Sequence, residues 1–253
     1  MNKRTLEICL FSMLLVCIFS FTAFGATDDV LKRWSKETEY KASDTLARVQ
    51  VGATYYAAEY VEALVQKEAE QNLWTEDEAE NYRYELLKTL KFSEFIPILI
   101  KIDNRGPSMH MAPFGDQLVL WVGKKKVKPV DYDKRFNFKL QGQREGLVYF
   151  PRYDAKTGKE LLKGVKTVKL SIKGGISDVI DDSTNSVDFL WDVYRDDPSK
   201  LLAGPGADKL EIDRLIKRIE KLTGEKSTLE AQLAEVQAEL DKINQRIEEL
   251  QKQ

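Results

Sequence analysis

The spacing of apolar residues changes along this chain, and each change predicts a different element. Thr54, Ala57, Ala58, Val61, Leu64 and Val65 recur three and four residues apart, with Glu59, Glu62 and Glu68 off that face, which predicts an amphipathic helix. Thr75 and Glu78 have the Ser/Thr-x-x-Glu spacing of a capping box and open a second helix, whose Ala79, Tyr82, Leu86 and Leu90 form one stripe. The two predict an antiparallel helix pair. A shorter helix from about Thr27 to Tyr40 precedes them, so 26–92 reads as a helical region.

After Phe92 the period falls to two. Ile96, Ile98, Ile100 and Ile102 alternate with Pro97, Leu99, Lys101 and Asp103, and Asn104-Arg105-Gly106-Pro107 ends the run. Similar runs follow at Leu118–Val122, at Phe136, Phe138 and Leu140, at Leu147–Phe150, at Val168, Leu170 and Ile172, and at Val187, Phe189, Trp191 and Val193. Strands in such number without helices between them predict an antiparallel immunoglobulin-like β-sandwich over 93–200, in architecture only, because the cysteine pair of antibody domains is missing. Pro97 near the start of the first strand predicts a sheet edge, where a missing N–H is tolerated.

A Gly/Pro hinge at 201–207 leads into a heptad pattern over 208–253, read as a coiled coil. Ile212, Ile219, Lys226, Leu233, Leu240 and Ile247 occupy position a; Leu215, Leu222, Leu229, Val236, Ile243 and Leu250 occupy position d. Only Lys226 among them is polar, and a stripe of that length on a polar helix needs a cover. The early heptads and Lys226 favour two strands, whereas Leu233 and Leu240 at a with Val236 and Ile243 at d lean toward higher order. A parallel pair would set Glu225 against Glu230. An antiparallel pair would set Glu211 against Arg246 and Arg218 against Glu239, and is the expected arrangement. Thr223-Gly224-Glu225-Lys226, followed by a capping box at Ser227 and Glu230, leaves a hairpin within one chain as the alternative, although the unbroken register favours one continuous helix. The whole reads as α+β: an N-terminal helical pair, an antiparallel immunoglobulin-like β-sandwich and a C-terminal coiled-coil helix.

The first residues alter the picture of where the chain works. Met1-Asn2-Lys3-Arg4 is a short basic head, an apolar run extends from Ile8 to Phe24, and Ala23-Phe24-Gly25 offers small residues at a cleavage site; 1–25 therefore reads as a signal peptide cut after Gly25. The alternative is an N-terminal membrane anchor, since about 17 apolar residues reach the lower limit for a span. Cys9 and Cys17 both lie in this segment, and Val16 before Cys17 is a poor fit to a lipidation site. The cleaved chain would hold no cysteine, which excludes disulfides, thiolate zinc sites and cysteine nucleophiles. The expected location is outside the cytoplasm, periplasmic or associated with the cell envelope.

A net charge of −2 conceals a strong asymmetry. Residues 26–95 carry 9 basic and 15 acidic side chains, 120–175 carry 15 and 5, and 176–253 carry 11 and 18. Within the basic block, Lys124, Lys125, Lys126, Lys128, Arg135, Lys139 and Arg144 are the candidate anion-binding residues, with Lys134 and Arg152 beside them in sequence. In an envelope the anions on offer are lipid headgroups, lipopolysaccharide or an acidic polysaccharide rather than nucleic acid. The competing explanation is internal, a basic block lying against the chain's own acidic segments.

Candidate catalytic chemistry is sparse. His110 is the single histidine, which excludes sites needing several imidazoles. Its setting, Met109-His110-Met111, has donors that suit copper, but a loop histidine is the simpler reading. Asp178, Asp181, Asp182, Asn185 and Asp188 offer oxygen ligands without the spacing of a calcium loop and read as a solvated acidic turn. Trp34, Tyr40, Tyr55, Tyr56, Tyr60, Trp74, Tyr82 and Tyr84 read as packing residues rather than a sugar-stacking surface. No metal or cofactor is expected. The sequence thus describes a non-enzymatic exported envelope protein that oligomerises or docks through its coil, as a homo-oligomer or on a coiled-coil partner protein, and binds a partner through a basic sandwich. The alternatives are a purely structural subunit of a larger complex, and a carboxylate-dependent hydrolase, which would require a buried acid beside a second carboxylate in a pocket.

Overall fold

A computed structural model describes residues 27–194, 196–201 and 205–251. The signal segment 1–25, with Cys9 and Cys17, and hinge residues 202–204 lie outside the described residues. The chain divides into two units, Met1–Ala203 and Gly204–Gln253. It is a mixed helix and sheet protein with two antiparallel sheets and a C-terminal helix.

In the first unit, helix α1 covers residues 27–34, strands β1 and β2 cover Ser35–Lys41 and Arg48–Tyr55, and helices α2 and α3 cover Ala58–Asn72 and Glu76–Thr89. Strands β3 (Phe95–Met109), β4 (Leu118–Val122), β5 (Lys125–Val127), β6 (Asp131–Tyr132), β7 (Leu140–Pro151), β8 (Thr167–Lys173) and β9 (Ser186–Asp192) follow, with short helices α4 (Asp178–Asp181) before β9 and α5 (Pro198–Leu201) after it. One sheet has the order β1-β2-β3-β7-β6 and the other β5-β4-β8-β9, every neighbouring pair antiparallel.

Alternate residues decide which face each strand buries. Val49, Val51, Ala53 and Tyr55 of β2, Ile96, Ile98, Ile100 and Ile102 of β3, Leu118 and Leu120 of β4, Val168, Leu170 and Ile172 of β8, and Val187, Phe189 and Trp191 of β9 are all buried in one common core. Each large apolar side chain there contributes about 1.5–3 kcal/mol by leaving water. The Trp191 Nε1–H donates to the Trp34 carbonyl at 2.9 Å, and Trp34 stacks on Tyr55 with centroids 5.5 Å apart, so the end of α1 is tied to β9.

Several expectations are corrected by these elements. The stretch 26–92 is not helical throughout: β1 and β2 occupy its middle, because Val49, Val51, Ala53 and Tyr55 alternate with period two, and α1 stops at Trp34. Thr54 accordingly belongs to β2, and Ala57 is the residue before α2. The helix pair itself is present, and α3 opens with the expected capping box, Glu78 N–H donating to Thr75 Oγ1 at 3.3 Å and Thr75 N–H to Glu78 Oε2 at 2.8 Å.

Pro97 does not mark an edge, since β3 lies between β2 and β7. The ring sits in the third position of the strand, and its carbonyl accepts from the Tyr56 N–H at 3.3 Å. Nor does β3 end at Asn104. It runs on to Met109 across a shift in register, where Asn104 Nδ2 donates to the carbonyls of Pro107 and Leu140 at 2.7 and 3.0 Å, side-chain bonds that replace the interrupted ladder. Phe136 lies in a 3-10 turn, Lys134–Asn137, capped by Asp133, whose carboxylate accepts from the Arg135 N–H at 2.9 Å, and the strand starts only at Leu140.

The second unit is one helix, α6 (Pro205–Gln251), of 47 residues. At a rise of 1.5 Å per residue it is about 70 Å long. Proline at its first position suits a turn whose N–H groups have no partner within the helix. Gly224 lies inside the helix, with Thr228 Oγ1 donating to its carbonyl at 3.0 Å, so no hairpin forms there. Among the described residues no helix is long and apolar enough to cross a membrane.

Candidate interaction surfaces

The apolar stripe of α6 is open along its length. Ile212, Leu215, Ile219, Leu222, Leu229, Leu233, Val236, Leu240, Ile243, Ile247 and Leu250 are each exposed, from 44% at Leu215 to 70% at Leu233, and Ile216 beside them is 49% exposed. Isolated helices in water draw little stability from propensity alone, so burial of such a face is what holds a helix of this kind together. Ion pairs run along the helix, Lys221–Glu225 at 3.8 Å, Lys226–Glu230 at 3.5 Å and Arg246–Glu249 at 2.8 Å, each worth only a few tenths of a kcal/mol.

The candidate anion-binding residues fall into two groups on different sheets. Lys124, Lys125, Lys126 and Lys128 lie on the β4–β5 hairpin, which turns at Gly123 with φ of +59° and forms an edge of the four-stranded sheet. Arg135, Lys139 and Arg144 gather where the 3-10 turn meets β7: Arg144 Nη1 donates to the carbonyls of Arg135 and Phe138 at 2.5 and 3.0 Å. Much of the positive charge is answered locally. Lys125 pairs with Asp154, Lys128 with Asp116 at 2.8 Å, and Arg135 with Asp133 at 2.6 Å. The Lys125 ammonium, with the N–H groups of Thr157 and Lys156, holds the Asp154 carboxyl well below its usual range, and the Arg135 guanidinium lowers that of Asp133. Lys124, Lys126 and Lys139 are exposed and make no ion pair among the described residues.

The neutralising acids thus belong to the two-sheet unit itself. Lys126 instead lies over the Trp121 ring, its Nζ 4.7 Å from the centroid, while Lys169 approaches the same ring to 5.5 Å and pairs with Asp188 at 2.9 Å. This cation–aromatic cluster on the outer face of the four-stranded sheet was not legible from the sequence, because its members come from three strands. A short lysine-bearing edge strand also has a second explanation, as a guard against strand addition by another chain.

A second non-local cluster surrounds Asp196. Its Oδ1 accepts the Ala58 N–H at 2.7 Å, supplying from far along the chain the cap that Ala57 cannot offer α2. Burial pushes the carboxyl up to about 6, against the opposing pull of the Ala58 N–H, Arg152 and the Glu59 N–H, and with the Glu59 carboxylate adding to the rise. Arg152 is buried and donates to the Phe92 carbonyl at 3.0 Å, the Phe95 carbonyl at 3.3 Å and Glu160 Oε1 at 3.4 Å. Arg152 therefore belongs to the interior and not to a basic surface. Glu160 and Asp196 line one cavity of about 230 Å³ together with Lys163, Val165, Val193 and Tyr194.

The remaining sequence candidates are not brought together in one place among the described residues. His110 is exposed, while Met109 and Met111 point into the core at 3% and 0% exposure, so alternation separates the thioethers from the imidazole. The acidic turn is partly wound into α4, and among the described residues no group of three or more His, Cys, Asp or Glu is placed to hold a metal ion. Trp34 and Tyr55 are core residues, and Tyr56–Tyr60 and Trp74–Tyr82 form partly buried pairs with centroids 5.1 and 4.9 Å apart. Comparison of the chain with protein-family models, curated proteins and solved structures finds no match.

Proposed function

We propose that this chain is an exported envelope protein that works by binding and assembly, with α6 as its association element and the two-sheet unit, read as an immunoglobulin-like sandwich, as its recognition body. The observation that carries the reading is the exposed apolar stripe of α6, interrupted only at Lys226. The signal-like leader supports export. Lys124, Lys126 and Lys139 are the side chains that support an anionic partner, a lipid headgroup or acidic polysaccharide of the envelope, because they are exposed and make no ion pair among the described residues.

The test of association is sedimentation velocity of the chain from Ala26 and of a Leu222→Lys, Leu233→Lys variant. The parent is expected to sediment as a multimer and the variant as a folded monomer; a parent that stays monomeric up to about 100 µM, where any packing stronger than millimolar would show, would remove the self-association half of the proposal. Anion binding is tested with vesicles of anionic lipid and with an acidic polysaccharide. Binding should weaken as salt rises and fall at least tenfold when Lys124, Lys126 and Lys139 are changed to Ser.

A second reading, a carboxylate-dependent hydrolase, has one observation in its favour, the shared cavity of Glu160 and Asp196. Both acids are already engaged, one by Arg152 and the other by the start of α2, so the binding reading is preferred. Turnover of a glycan or ester that Glu160→Gln abolishes would reverse that preference.

A further inference from the structure

We infer that the cover of the α6 stripe is a second copy of this chain, running antiparallel and in one register, with the symmetry axis crossing the helix between Ser227 and Thr228. This rests on the association half of the proposed function and names its partner, orientation and register.

α6 is continuous through Gly224. A helix that does not fold back cannot cover its own stripe. In the antiparallel register centred between Ser227 and Thr228, position a of one copy layers against position d of the other: Ile212 on Ile243, Leu215 on Leu240, Ile219 on Val236, Leu222 on Leu233 and Lys226 on Leu229. Every side chain in these layers is exposed in the single chain.

Charge selects this register over its neighbours. The flanking g positions then place Arg218 opposite Glu239, twice by symmetry, and Glu225 opposite Gln232. A slip of one heptad in one direction sets Arg218 against Arg246 and Glu225 against Glu239. A slip in the other direction sets the two Glu225 residues against each other. Parallel pairing offers no opposite-charge contact, sets Glu225 against Glu230, and brings the two Lys226 ammonium groups into one layer. In the antiparallel pair each Lys226 faces an aliphatic side chain and stands level with Glu230 of the second copy, its partner at 3.5 Å within its own helix. The two Lys226 residues then lie in adjacent layers on either side of the axis, so it is the g-position charges that decide the orientation.

The test is the distance between nitroxide labels in the full chain from Ala26, which has no cysteine of its own, labelled at Lys217→Cys in one sample and Lys242→Cys in another. Both positions lie on the polar face, away from the layers. At 1.5 Å per residue the axial separations are about 31 Å for position 217 and about 43 Å for position 242. The label-to-label distances should exceed these by a few ångströms, with 242 the longer. Two equally short distances, near 20 Å, would establish a parallel pair and overturn the inference. A reversed order, with 217 the longer, or a gap between the two of more than about 25 Å, would overturn the register, since one heptad moves each axial separation by about 10 Å in opposite senses. Loss of any dipolar signal at concentrations where scattering reports a monomer would overturn the association reading itself.

Discussion

Asp196 holds the start of α2 at an electrostatic cost. Its carboxyl is half-buried between α2, Arg152 and the Glu160 cavity, and its affinity for a proton is raised to about 6 by that burial. Between pH 4 and 6 the folded chain therefore keeps a proton that the unfolded chain has lost, so this group's contribution falls as pH rises through that window, by up to about 3 kcal/mol. Asp196→Asn retains an oxygen for the Ala58 N–H and removes the charge. The difference in melting temperature, variant minus parent, should grow from pH 4 to pH 7; a flat difference would show that the carboxylate is better solvated than its packing implies. Gly174 is constrained by space alone, since an added Cβ would lie 2.1 Å from the Thr184 carbonyl oxygen. Gly174→Ala should cost about 1–3 kcal/mol or more in denaturant unfolding. Neither residue's role could be read from the sequence: Asp196 acts on a helix more than a hundred positions away, and Gly174 is limited by a backbone it meets only after folding.

At the scale of elements, local chemistry was legible where it is complete within a few residues. Thr75 and Glu78 form both bonds of the capping box, and Thr75→Ala should lower stability by about 1 kcal/mol with little change in helical signal at 20 °C. The alternating runs that became β3, β4, β8 and β9 were recognisable because one face of each is core. The end of β2 carries no strand signature of its own in the sequence, since Thr54, Ala57 and Ala58 connect a strand to a helix at a spacing that mimics one helical face. Pro97 is tolerated inside the sheet because it lies just past the last residue that β3 pairs with β2, where the ladder does not need its missing donor. β5 and β6, three and two residues long, are defined by their partners and carry no periodicity of their own. In α6, Lys226 interrupts an otherwise apolar stripe; Lys226→Leu should raise the thermal midpoint of association, read by circular dichroism, by removing a charge from each of the two central layers.

For the molecule as a whole, the sequence-level asymmetry of charge has a simpler structural meaning than a uniform basic surface. Asp116, Asp133, Asp154 and Asp188, four acids of the two-sheet unit, neutralise Lys128, Arg135, Lys125 and Lys169 on the spot. Of the seven candidate anion-binding residues, Lys124, Lys126 and Lys139 are the ones left exposed and without an ion pair among the described residues, a sorting that sequence proximity alone could not make. The heptad stripe needed no such sorting, because helical periodicity fixes the face of every member. The chain divides into the two-sheet body and α6, and the proposed function makes α6 its assembly device. The most direct test is the light-scattering mass of residues 26–253 beside that of a chain ending at Leu202. A dimer is expected for the former and a cooperatively melting monomer for the latter; two monomers would contradict the proposed self-association and direct the search to a different protein as the cover of the stripe.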